Sequence, residues 1–86
     1  MKPTTKESID NFVEHGLRPG DFLMAVLSND LMEAIYRADA QNQEDLIEIC
    51  RYVYNEIPGN CWGNRTRVLD WMNTKLLERE SKCASV

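Results

Sequence analysis

Three cysteines, one histidine and fourteen acidic side chains are the groups in this 86-residue chain that could carry chemistry. The cysteines stand at positions 50, 61 and 83, a spacing far wider than the close pairs that zinc sites use. An odd count with no secretion signal argues against a disulfide framework and for free thiols. Cys50 falls on an apolar helical face and is predicted to pack as a small hydrophobe. His15 would need a cysteine beside it to act in nucleophilic catalysis, and nothing in the sequence asks for that pairing. It is read as a solvent-exposed residue in the last turn of a helix. Residues 39–48 faintly resemble a calcium loop. Glu44 stands where that loop needs glycine, and Gln41 and Gln43 stand at ligand positions. No glycine-rich phosphate loop is present. Asn64-Arg65-Thr66 fits a glycosylation sequon, but is read as a helix cap. No catalytic residue, metal site or cofactor is therefore assigned.

The residues that could make contacts are more informative. Tyr52 to Gly63 is an aromatic stretch that ends in a loop dense in turn residues. Trp62 in that loop has two readings. It folds back to plug the core, or it projects as a contact anchor, a role in which tryptophan and tyrosine are enriched. Tyr52 lies off the main apolar stripe and is the better candidate for exposure. Asn60 joins these two as a contact candidate. Arg18, Arg37 and Asp39 are solvated charges near helix ends or a buried Arg–Asp brace between connectors. Glu44, Asp45 and Glu48 form an acidic helix surface that could compete for a basic groove.

Composition narrows the classes. Net charge is −4 and the basic residues are scattered, so direct nucleic-acid binding is disfavoured. The acidic excess is too mild for a mimic of DNA phosphates. No apolar run approaches the ~20 residues of a membrane span, and the N-terminus lacks a signal-peptide core. A soluble protein of a reducing cytosol is expected, with a homo-oligomer left open.

The elements that must position these groups are all helical. Strand signals are nearly absent, and one domain of four to five short helices is expected over 1–86, with 1–4 and 81–86 frayed. The first helix should run over 5–15, capped by Thr4 with Glu7 and ended by Gly16. A second region over 20–38 carries a broad apolar face that includes Leu31, Ala34, Ile35 and Ala38. It is expected to break at 28–30, where Asp30 and Glu33 can open a new helix. Asn42 should cap a helix running to about Glu56, with Leu46, Ile49, Cys50, Val53 and Ile57 inward, widened by Ile47 and Tyr54. Pro58-Gly59 stops it. Asn64 should cap a last helix over 65–80, with Val68, Leu69, Trp71, Met72, Leu76 and Leu77 on its apolar side. Helices 20–38, 42–57 and 65–80 should form the core, with 5–15 packed across them.

Residues 16–31 (GLRPGDFLMAVLSNDL), Arg37-Ala38-Asp39, residues 51–58 (RYVYNEIP) and Cys61-Trp62-Gly63 carry a likeness beyond composition. On them the chain resembles a family of short uncharacterised proteins encoded by bacteriophages and prophages. The family pattern often has glycine where Asp21 stands. The resemblance implies a phage or prophage origin and work in the cytoplasm of the bacterial host, and it names no catalytic residue. The expected function is a non-enzymatic accessory protein that binds a host or phage protein, in its sharpest form a counter-defence inhibitor of the anti-CRISPR kind. The rivals are a small-ligand or nucleotide sponge with a pocket near Arg18, Arg37 and Tyr52, and a DNA-binding regulator reading with helix 65–80.

Overall fold

A computed structural model describes residues 1–84, with side chains described through Arg79. Five α-helices and no strands occur among the described residues: α1 (Pro3–His15), α2 (Asp21–Leu27), α3 (Leu31–Arg37), α4 (Ala40–Glu56) and α5 (Arg65–Ala84). The all-helical expectation holds. The fraying expected for 85–86 and the state of the Cys83 thiol lie outside what is described.

Helix α1 starts earlier than Thr4 would dictate. Pro3 occupies the first turn, where its missing N–H costs nothing and its fixed φ suits the helix. Lys2 is the extended capping residue, and no side chain caps this end. The Lys2 carbonyl accepts from Thr5 and Lys6 at 3.0 and 3.2 Å. The Met1 amine lies against the Glu48 carboxylate, and residues 3–4 already belong to the helix. At the other end Gly16 takes φ 69° and closes on the Phe12 carbonyl at 2.9 Å. A Cβ at Gly16 would overlap the Lys75 side chain and press on the Met72 carbonyl at 3.2 Å. Glycine there serves both the left-handed turn and the close approach of α5. The Trp71 indole N–H donates to the Phe12 and Val13 carbonyls at 3.2 and 3.0 Å, which serves the Val13 acceptor that the helix end leaves free and adds a second donor to Phe12.

The break inside 20–38 falls where the residues call for it. Asn29 adopts φ 60°, a conformation asparagine tolerates. Asp30 then accepts the Glu33 N–H at 3.3 Å and opens α3. Helix α2 is core almost all round, with Phe22, Leu23, Met24, Ala25 and Leu27 buried. Helix α3 buries only Ala34, so Leu31 and Ile35 are not the core residues that periodicity suggested.

Helix α4 is capped by Asp39, which accepts the Asn42 N–H at 2.8 Å, and not by Asn42. The two candidates lie one turn apart, and a cap at Asp39 gains an extra turn that begins with Ala40, a strong helix former. Only Ile49 and Val53 of α4 are buried, with Ile57 just beyond its end. Cys50 is exposed, contrary to expectation. Asn64 caps α5 by accepting the Arg67 N–H at 2.8 Å, as expected. Helix α5 continues to Ala84, past the expected end at 80.

The core joins Ile9 and Phe12 of α1, the buried face of α2, Ala34, Ile49, Val53, Ile57, Cys61 and Val68. Helix α1 is thus a full core member, not an element laid across a finished core. The loop over 58–64 is closed by Cys61, which is fully buried and whose N–H and thiol both reach the Pro58 carbonyl. The Gly63 N–H ties the loop to the Leu27 carbonyl at 2.7 Å.

Candidate functional site

The apolar stripes of α3 and α4 are wider than the core can cover. On α4 the buried positions 49 and 53 are flanked by 46, 47, 50 and 54, which turn progressively outward at 100° per residue. Ile47 is 69% exposed and Tyr54 74% exposed. On α3 the same arithmetic leaves Leu31, Met32, Ile35 and Tyr36 on one outward arc, with Met32 at 77% and Tyr36 at 79% exposure. Between these surfaces lies a groove of about 550 Å³, lined chiefly by Val26, Leu31, Leu46, Ile47, Cys50, Val53, Tyr54 and Trp62. Its polar lining is limited to Asn29, Arg51 and Asn55.

Trp62 resolves the two readings offered for it in part. It is half-buried and packs against the core, but Cys61 is the residue that plugs the core. The Trp62 indole N–H donates to the Ile57 carbonyl at 3.3 Å. Its ring meets Tyr54 edge to face, with centroids 6.1 Å apart and planes at 65°. Both contacts fix the ring as one wall of the groove. The Cys50 thiol opens onto the same groove, and desolvation by the apolar atoms around it pushes its pKa up. It stays protonated near neutral pH, which suits a contact surface better than a nucleophile.

The other candidates are scattered. Tyr52 is half-buried on the α1 side, contrary to the expected exposure, and its hydroxyl donates to Asp10. Lys6 donates to Asp10 at 2.9 Å and lies 5.5 Å over the Tyr52 ring. The Tyr52 hydroxyl first, and then Lys6, hold the Asp10 carboxyl below its ordinary range. A carboxyl with a lowered folded pKa stabilises the fold above its unfolded value of about 3.9, and that contribution is lost as pH falls through the folded value. Asp10→Asn should therefore be less stable than wild type near neutral pH. In urea titrations the difference should narrow as pH falls below the unfolded value of about 3.9.

Arg18 and Arg37 do meet, but through Asp21 and not Asp39. Arg18 donates to Asp21 at 2.9 Å, and Arg37 lies 3.8 Å from Asp21 and donates to Glu33 at 2.7 Å. All four side chains are solvated, so the buried Arg–Asp brace is not formed. Asp39 caps α4 and accepts from Lys2 at 3.1 Å. A cleft of about 280 Å³ holds Arg18, Arg37 and Arg65 together with Asp21, Asp30 and Glu33, and Tyr52 does not line it. The acids of α4 do not form a free array. Asp45 accepts from Gln41 at 3.1 Å and lies 3.8 Å from the Met1 amine, and Glu48 also holds that amine. Glu44 and Asn60 are exposed. His15 is exposed as expected, 3.9 Å from a Glu14 oxygen. Among the described residues no three His, Cys, Asp or Glu side chains are grouped to hold a metal ion.

Comparisons with protein-family models, with curated proteins and with solved structures found no match. The site's character therefore rests on its geometry. Reading the sequence missed Met32, Tyr36 and the outward turn of Ile47 and Tyr54. A signal was present: large apolar residues adjacent at 31–32 and 35–36 spread a helix's stripe over about 140° by the 100° step, more than one neighbouring helix can cover.

Proposed function

We propose that this protein works without catalysis, by binding another protein through the apolar surface of α3 and the groove beside it. The observation that carries this reading is that surface. Leu31, Ile47 and Tyr54 are exposed in the groove lining, and Met32, Ile35 and Tyr36 are exposed on the same helix arc as Leu31, whereas monomeric proteins seldom leave large apolar patches uncovered. The surface includes Tyr36, Tyr54, Met32 and, in the groove wall, Trp62, residue types enriched in protein interfaces. The resemblance to short phage and prophage proteins supports a host or phage protein as the partner, met in the bacterial cytoplasm, and inhibition of a host defence is the sharpest form of that role. No described helix is long and apolar enough to cross a membrane.

The rival classes have less support. The arginine cleft is lined by as many carboxylates as guanidinium groups, which leaves little net attraction for a phosphate. On α5, Lys75 pairs with Glu78 at 3.4 Å and lies over the Trp71 ring, so the described side chains of the helix offer no clean basic stripe.

The test is affinity capture from the bacterial host at near-physiological salt, with wild type, Tyr36→Glu and Leu77→Glu as baits. A specific protein held by wild type and Leu77→Glu but lost with Tyr36→Glu is the expected result. Recovery of no protein, or capture indifferent to Tyr36→Glu, would overturn the reading.

A further inference from the structure

We infer that, with no other partner present, this surface is closed by a second copy of the chain, in a two-fold dimer that seats the α3 ridge of each copy in the groove of the other. The inference rests on reading the α3–α4 face as a protein-contact surface, and it adds the identity of one occupant.

The area fits. Six apolar side chains, three in the groove lining (Leu31, Ile47 and Tyr54) and three more on α3 beside Leu31 (Met32, Ile35 and Tyr36), are on average about two-thirds exposed. At roughly 200 Å² for a large side chain they offer about 800 Å², one partner's share of a standard interface. The shape fits as well. A two-fold contact uses one patch on both copies, so that patch must carry both a projection and its receptacle. Here Met32 and Tyr36 project from α3, and the groove walled by Leu46, Cys50 and Trp62 lies next to them through Leu31, which belongs to both. Charge does not oppose the contact at its centre. Arg51 is the only charged residue in the groove lining, and the α3 charges Glu33 and Arg37 neutralise each other at 2.7 Å. Charge depletion of this kind marks the centre of an interface.

Sedimentation velocity of the purified full chain tests this over about 1 to 500 µM, a range that covers the weaker end of standard-sized interfaces. A species of twice the 10.0 kDa chain mass should form as concentration rises. Tyr36→Glu and Met32→Glu should each weaken it about 30-fold or more, the effect of losing a hot-spot side chain. Leu77→Glu, on the exposed side of α5, should leave it unchanged. Far-UV circular dichroism checks that each variant keeps its helices. If Tyr36→Glu loses them, Ile47→Glu replaces it, because Ile47 is exposed on the opposite wall. A single-chain mass across the whole range overturns the inference. So does a dimer that survives both α3 substitutions or dissolves with Leu77→Glu. A monomer that still captures a host protein through Tyr36 would sink the dimer alone and leave the proposed function standing.

Discussion

Replacing Phe12 by alanine is expected to destabilise the protein by about 3–5 kcal/mol. Its ring is fully buried where α1 joins the core, and the substitution removes that apolar volume and leaves a cavity. A domain of this length has about 4–13 kcal/mol in all, so much of the population should unfold at moderate temperature. A contrast on α3 sharpens the point. Met32→Ala removes a side chain that is largely in water, and should change stability by about 0.5 kcal/mol or less. Urea denaturation followed by circular dichroism reads both. A large loss with Met32→Ala would show that α3's outer face is core after all.

Gly16→Ala should cost about 2–4 kcal/mol, for two independent reasons. Alanine at φ 69° carries the left-handed penalty of about 1 kcal/mol or more. The added methyl would also collide with the Lys75 side chain and crowd the Met72 carbonyl, an overpacking cost of about 1–3 kcal/mol. With a domain this short, the melting temperature should fall by roughly 10–20 °C. Gly20→Ala is the control, because nothing lies within 4 Å of a Cβ there. Equal melting temperatures for Gly16→Ala and wild type would mean that α1 and α5 can part without cost.

Most of the fold was legible because helix punctuation is local. Gly16, Asp30 and Asn64 end or open their helices where their chemistry says they should. The misses at Thr4 and Asn42 were also local. In each case a competing signal one or three residues earlier, Pro3 or Asp39, already opened the helix. The candidate site was far less legible. Periodicity identifies which face of a helix is apolar, but not how much of that face its neighbours can reach. Cys50, Tyr54 and Ile35 all sit on apolar faces and all remain open to solvent. Tyr52 erred in the other direction, because its partner Asp10 lies forty-two positions away. The sequence offered Trp62 as either core plug or contact anchor, yet only the folded loop places Cys61 inward and Trp62 at the rim.

The two tryptophans occupy separate parts of the molecule. Trp71 donates to the carbonyl end of α1, at the seam that must form for the chain to fold. Trp62 stands in the groove wall beside Tyr54. The protein therefore carries its own pair of optical reporters. Trp71→Phe leaves an emission that follows what enters the groove, and Trp62→Phe leaves one that follows the closing of α1 on α5. Occupancy and folding can be watched apart, in unlabelled protein, by the colour of a single indole.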